Sequence, residues 1–131
     1  MPESIDDVAA KLKAGLDPNA MEHGWSLLRG AAEHEQADVI RLLVSSGADP
    51  NLADSADGVT PLHQAVDVAI DGAIQTRAPS IDWSCVGLLL DLGADLARKD
   101  SNGNTPLDSV AQYGDKAQAS FDQFMRTRSA K

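Results

Sequence analysis

The chain has 131 residues, of which 43% are hydrophobic, enough for one small core, while 4% aromatics are too few for base-stacking platforms. Eleven Lys and Arg against 20 Asp and Glu give a formal charge of −9, which disfavours phosphate backbones and anionic membranes and favours a basic partner. The start, Met1 to Asp7, is acidic, with no basic region before an apolar run, and no 18 apolar residues occur together; neither a leader nor a membrane span is expected, and the cytoplasm is the default location.

In chain order, Ser4 followed by Asp6 and Asp7 predicts a capped helix start, with the acids at the positive end of the helix dipole. Val8, Ala9 and Leu12 form its apolar side, Lys11 and Lys13 face water, and Gly15 suits the left-handed position that ends a helix. Segment 1–19 is thus expected to close one end of the molecule.

In segment 20–51 a turn from Asn19 to Trp25 leads into a helix from Ser26 to about Glu33. A second helix runs from about Gln36 to Ser46, where Val39, Ile40, Leu42 and Leu43 recur at three- and four-residue steps. Segment 52–97 repeats the plan with clearer punctuation. In Asp57 to Ala65, D-G-V-T-P-L-H-Q-A, Gly58 serves the turn, Thr60 caps, and Pro61 takes the first helical position, where its missing N–H costs nothing. The tip before it, Asp54-Ser55-Ala56-Asp57, is acidic.

This second unit carries an irregularity. Ser26 to Gly47 is 21 residues, but Thr60 to Gly93 is 33, so about 12 extra residues lie between its two helices. Val66, Val68, Ala69, Ala73 and Ile74 extend the first helix until Arg77-Ala78-Pro79-Ser80 breaks it. Ser80 or Asp82 is then expected to cap a helix striped by Cys85, Val86, Leu88 and Leu89. Cys85, the single cysteine, reads as a buried thiol. In segment 98–131 the turn, Thr105 and Pro106 recur, and after Gly114 the residues Ala117, Phe121, Phe124 and Met125 predict a closing helix with a polar outer side.

The helix ends match each other too: Leu42-Leu43-Val44-Ser45-Ser46-Gly47-Ala48-Asp49 against Leu88-Leu89-Leu90-Asp91-Leu92-Gly93-Ala94-Asp95, with a fainter copy at Ala14 to Asn19. Gly24 to Gly58 is 34 residues, Gly15 to Gly47 is 32 and Gly58 to Gly103 is 45, a period near 33 with one insertion. On these motifs, T-P-L-H-x-A at Thr60 to Ala65 and L-L-x-x-G-A-D twice, the chain from about Ile5 to Tyr113 resembles the ankyrin-repeat family.

The resemblance implies an all-α solenoid of about three repeats, each a turn finger followed by two antiparallel helices. An N-terminal half-repeat caps one end, a C-terminal helix the other, and the insertion interrupts the second full repeat. It also implies that His63 ties neighbouring fingers together. Arg29 and Asp108 stand at that place in the outer repeats, so weaker cross-linking is expected there.

By the same resemblance, partners are gripped at finger tips and at exposed positions on the first helices. The first repeat offers Glu22, His23, Trp25, Glu33 and His34; the second offers Ala56, Asp57, Val59, Asp67 and Val68; the third offers Ser101, Asn102, Asn104, Gln112 and Tyr113. Trp25 and Tyr113 are amphipathic anchors, and the acids are placed to meet Lys or Arg; the other reading of Trp25 is that it shields a repeat seam. In the insertion, Arg77 and Trp83 are candidates, Trp83 either packing the long helix onto the stack or facing a partner.

Signatures of chemistry are missing: no H-E-x-x-H, paired C-x-x-C, P-loop or dinucleotide glycine motif occurs. His23 and His34 with Glu22 and Glu33 form no tight ligand set. Asp100 to Asn104 fails as a calcium loop because Ala111 occupies the twelfth place. No catalytic residue, metal or cofactor is therefore expected. The leading reading is a non-catalytic, monomeric protein-binding module for a basic partner. Its sharper form is an inhibitor or immunity protein that neutralises a bacterial toxin such as a nuclease. Two further readings are a small enzyme whose site is built by segment 70–84 with Asp71, Arg77 and Asp82, and a scaffold for copies of itself.

Overall fold

The computed structural model describes residues 4–22 and 24–129. Its elements in chain order are α1 (Ile5–Lys13), a two-residue hairpin of β1 (Met21–Glu22) and β2 (Trp25–Ser26), α2 (Leu27–Glu33), α3 (Ala37–Ser45), α4 (Pro61–Thr76), α5 (Ser84–Asp91), α6 (Pro106–Gln112) and α7 (Asp115–Ser129).

Local chemistry fixes the helix boundaries. Ser4, Ser26, Thr60 and Thr105 each stand just before a helix and accept a hydrogen bond from the backbone N–H three residues on, at 3.0 to 3.3 Å. Pro61 and Pro106 take the first helical positions of α4 and α6. At the other end, Gly15, Gly47 and Gly93 have φ of 106°, 111° and 105°. The amides of Leu16, Ala48 and Ala94 turn back to the carbonyls of Lys11, Leu43 and Leu89, closing the last turn of α1, α3 and α5 in the same way.

The helices then stack in two rows. α2, α4 and α6 pack side by side in one row; α1 packs on α3 and α3 on α5 in the other; α2–α3, α4–α5 and α6–α7 are the antiparallel pairs. Between the rows lies the core, where Leu28, Ile40, Leu43, Leu62, Val66, Val86, Leu89 and Val110 are buried. Ile40, Leu43, Val86 and Leu89 among them belong to the stripes whose three- and four-residue recurrence predicted α3 and α5, while Leu42 and Leu88 of the same stripes are half-buried.

The second repeat has the longest first helix. α4 runs 16 residues against 7 for α2 and 7 for α6. It ends at Arg77, a non-glycine residue in the left-handed region at φ 53°. Ile74 near its end is 61% exposed, so the extension rises past the neighbouring helices. Neither Ser80 nor Asp82 takes the expected cap position of α5, which Trp83 holds without a side-chain cap bond; Asp82 accepts from the Ser84 amide at 2.9 Å in the turn that leads into the helix.

α7 closes the stack over α5 and α6. Trp83, just before α5, is 5% exposed; its ring meets Phe121 edge-on at 5.1 Å and stacks on Phe124 at 6.1 Å. Its indole N–H donates to Ser120 Oγ at 3.0 Å. Of the two readings of Trp83, packing is therefore the correct one, and a partner-facing role is excluded by burial. A Cβ at Gly87 would come within 3.2 Å of both the Phe124 ring and Arg128 Nη1, so α7 sits on α5 closely enough that a larger residue there would push these side chains back by a few tenths of an ångström.

The loops between repeats are pinned by asparagines. Asn19 Nδ2 donates to the Gly47 carbonyl at 3.3 Å and its Oδ1 accepts from the Asp49 amide at 2.7 Å. Asn51 does the same one repeat later, donating to Gly93 at 3.0 Å and accepting from Asp95 at 2.7 Å. Ala97 occupies the corresponding place after the next D and continues no such clamp.

Candidate functional site

The fingers precede α2, α4 and α6, so finger tips and first helices share one edge of the stack, as expected for the site. What holds them in register differs from the expectation. Arg29, at the position of His63, is buried, and its Nη1 lies 2.6 Å from Asp54 Oδ2 and 3.1 Å from Asp57 Oδ2 in the second finger. Its Nε donates to Gln64 Oε1 at 2.9 Å, and Asp54 also accepts from the Ser26 amide at 3.1 Å.

The first seam is therefore cross-linked by a buried ion pair, and the expected weakening is absent there. The acidic tip also needs correction: Asp54 is 2% exposed and works as an internal counterion. The second seam has two links. His63 Nδ1 accepts from the Thr60 amide at 3.2 Å, so its Nε2 donates to the Asn104 carbonyl at 2.9 Å, and the Ser101 amide donates to the Asp57 carbonyl at 2.9 Å. In the third repeat Asp108 turns inward on its own helix start, accepting from the Thr105 amide at 2.9 Å.

On this frame the candidate residues fall as follows. In the first repeat, Glu22 and His34 are exposed. Trp25 is half-buried with the Arg29 guanidinium 3.9 Å above its ring, and Glu33 is half-buried and accepts from Gln64 Nε2. Trp25 thus packs against the first seam through Arg29. His23 lies outside the described residues.

In the second repeat Ala56 is an exposed tip, while Asp57, Val59, Asp67 and Val68 are half-buried. Partial burial pushes the Asp57 carboxyl up, but the Val59 amide and Arg29 outweigh it and hold the group below the usual carboxylate range. In the third, Ser101, Asn102, Gln112 and Tyr113 are exposed and Asn104 is half-buried.

Between α4 and α6 the structure makes an acidic floor. Burial, and after it the nearby Asp71 carboxylate, push Asp67 above its ordinary value. Tyr113 O–H donates to Asp71 Oδ1 at 3.0 Å, and burial together with that bond pushes the phenol up to about 12. Asp71 was named in the sequence only as a possible enzyme residue; its position four residues after Asp67 on one helix face was the signal for this floor.

The candidate enzyme residues do not share a contact. Asp71 is held by Tyr113, Asp82 is held by Ser84, whose hydroxyl lowers its pKa, and Arg77 is exposed at the end of α4. Burial pushes the Cys85 thiol up, away from reactivity. Among the described residues no group of three or more His, Cys, Asp or Glu is placed to hold a metal ion, and no helix is long and apolar enough to cross a membrane.

A groove of about 470 Å³ is bounded by α1, the hairpin, α2 and α3, with Trp25, Leu27, Gly30, Ala31, Val39 and Leu43 among its lining residues.

Comparison with known proteins agrees with this architecture. The family description "Ankyrin repeat" matches residues 23–55. The bovine (Bos taurus) mitochondrial disaggregase is 30% identical over 129 residues, spanning 80% of this chain and 19% of that protein. Protein PhlB of Serratia liquefaciens is 35% identical over 113 residues, 86% of this chain and 44% of that one. The 2-5A-dependent ribonuclease of Mus musculus is 36% identical over 95 residues, 71% and 11%. This chain therefore spans less than half the length of each of these relatives.

Proposed function

Because this chain belongs to the ankyrin-repeat family, whose repeats are generally protein-protein interaction modules, we propose that it binds a basic segment of another protein along its fingers and first helices. The observation that carries this reading is the acidic floor: Asp67 and Asp71, four residues apart on α4, with Tyr113 of α6 bonded to Asp71. Clustered carboxylates attract Lys and Arg and repel nucleic acid. Tyr113 adds a rigid ring with a polar edge at little entropic cost.

A sharper form of the reading is that the chain neutralises a basic enzyme, such as a bacterial nuclease toxin; the formal charge of −9 favours it. Binding is its output in either form, and no catalysis is assigned to it.

The test is capture of partners on the tagged chain followed by a salt titration. Affinity is expected to fall as ionic strength rises, and Asp67→Lys with Asp71→Lys is expected to lower it at least tenfold. Binding that ignores both salt and the double variant would refute the acidic floor as the site.

A further inference from the structure

Of the chain's four asparagines, only Asn102 is followed by glycine. A backbone amide can attack the carboxamide of the residue before it, and the attack is easiest at glycine, where no Cβ hinders the approach or the ring that forms. Asn19 and Asn51 precede Ala20 and Leu52, and the next loop holds their carboxamides. Asn104 is half-buried and precedes Thr105. Asn102 is different. It lies at the exposed tip of the third finger with Ser101 and Gly103, and its carboxamide has no hydrogen-bond partner among the described residues.

The matching dipeptide one repeat earlier, Asp57-Gly58, is held shut. The Gly58 amide donates to the Asp54 carbonyl at 2.8 Å, and Gly58 packs against Ser101 of the next finger. The Asp57 carboxylate accepts from the Val59 amide and pairs with Arg29, and an ionised carboxylate is a poor electrophile. In the third finger the Gly103 amide donates to the Asp100 carbonyl at 3.0 Å, while the Asp100 carboxylate accepts from the Asn102 and Asn104 amides at 2.9 and 3.0 Å. These bonds lie within the tip itself. A Cβ at Gly103 would meet nothing within 4 Å, so there is room for the tip to open and for a ring to close.

We propose that Asn102-Gly103 is a self-modification site, at which the folded chain converts Asn102 to aspartate and isoaspartate. With the tip open, the Gly103 nitrogen attacks Asn102 Cγ. The N–Cγ bond forms, the Cγ–Nδ2 bond breaks, and the carboxamide nitrogen takes up the Gly103 amide proton and leaves as ammonia. Water then adds to the five-membered imide at one of its two carbonyls. Opening at Cγ gives aspartate, and opening at the backbone carbonyl gives isoaspartate, whose main chain runs through Cβ and Cγ. Neither step is a redox step.

Either product adds one negative charge to the formal −9. Isoaspartate also lengthens the finger between its two links to the second repeat, the Ser101 amide on the Asp57 carbonyl and His63 Nε2 on the Asn104 carbonyl, each 2.9 Å. Ala97 stands where an asparagine clamp would help to hold this seam. Isoaspartate therefore loosens the last repeat, and aspartate, which keeps the backbone, does not.

The test is to hold the full chain, folded by circular dichroism, at pH 6 and at pH 9, digest it with trypsin and follow the peptide Asp100–Lys116 by mass. Isoaspartate is counted with protein isoaspartate methyltransferase. Asn102 is expected to convert at least about tenfold faster than Asn19, Asn51 or Asn104, and faster at pH 9, where more of the Gly103 nitrogen is deprotonated. Asn102→Ser is expected to abolish the methylation. The isoaspartate form, separated by ion exchange, is expected to melt about 3–6 °C below the parent, with Asn102→Asp close to the parent. An Asn102 that stays intact in the folded chain, equal rates at the other asparagines, or an isoaspartate form that melts with Asn102→Asp would each overturn the proposal.

Discussion

Arg29 and Asp54 form a buried ion pair between the first repeat's helix and the second repeat's finger, with Nη1 and Oδ2 2.6 Å apart and side chains 8% and 1% exposed. Removing one partner of such a pair leaves an uncompensated charge in a region with little water. Asp54→Ala is therefore expected to lower the unfolding free energy by about 3–5 kcal/mol. Asp57→Ala, whose side chain is 47% exposed, is expected to cost at most about 1 kcal/mol. Urea denaturation of both variants decides the matter, and equal losses would refute the assignment of Asp54 as the principal counterion.

Gly58 is required twice over. Its φ is 69°, and an added Cβ would come within 2.8 Å of the Ser101 backbone nitrogen in the third finger. Gly103 has a φ of 82° but open space around it, so Gly103→Ala is expected to cost about 1–2 kcal/mol from backbone strain alone. Gly58→Ala is expected to cost clearly more and to shift the Ser101 amide resonance, which Gly103→Ala leaves near its place only if the fingers touch as described.

Tyr113 is the chain's single tyrosine, so its ultraviolet titration is unambiguous. The folded phenol is pushed up to about 12, above the ordinary value of 10.0, chiefly by burial and then by its bond to Asp71. A raised folded value means that the protonated form is favoured by folding. The stability gained is complete below pH 10 and is lost as pH climbs from 10 toward 12. Asp71→Asn is expected to bring the midpoint down; a midpoint at 10 in a chain still folded by circular dichroism would contradict the Tyr113–Asp71 bond.

Asp67 shifts in the same direction for a carboxyl, raised by burial and then by Asp71. Its ionisation is therefore unfavourable to the fold: the favourable contribution is full below the ordinary 3.8 and disappears as pH rises through the folded value. Asp67→Asn is expected to stabilise the chain at pH 7 and to lose that advantage on acidification below 3.8. Melting curves at the two pH values test it, and a variant less stable at pH 7 would show that Asp67 has a favourable partner.

Asn51→Ala removes a donor and an acceptor from the loop after α5, and about 1–2 kcal/mol is expected to go with them. Ala97→Asn, which has no facing loop among the described residues, is expected to change stability by less than about 0.5 kcal/mol. Thermal melts of both variants settle the contrast, and similar effects would show that the clamp contributes nothing.

Residues whose role is local were legible in the sequence. Thr60 and Thr105 cap because a hydroxyl three residues before an N–H suffices, and Gly15, Gly47 and Gly93 end helices because their φ is positive. Arg29 was misjudged because the value of a charged residue depends on what faces it. Its partner Asp54 lies 25 residues away, on a tip whose acidity looked exposed.

Trp83 was ambiguous for a similar reason, since its pocket is made by Phe121 and Phe124 of a helix nearly forty residues later. The asparagine clamps were missed although the signal was present. D-P-N stands at both 17–19 and 49–51, and the second D-P-N begins in a helix end aligned with the first.

Asn19 and Asn51 each hold the following loop at two points, a carbonyl and an amide, so they fix the angle between successive units as well as their separation. Curvature of the whole array is the sum of those angles. The seam between α4 and α6, where Asp67 and Asp71 lie, carries Ala97 at the corresponding place and no such clamp, so the last unit is free to tilt for a broad guest where the first two are held.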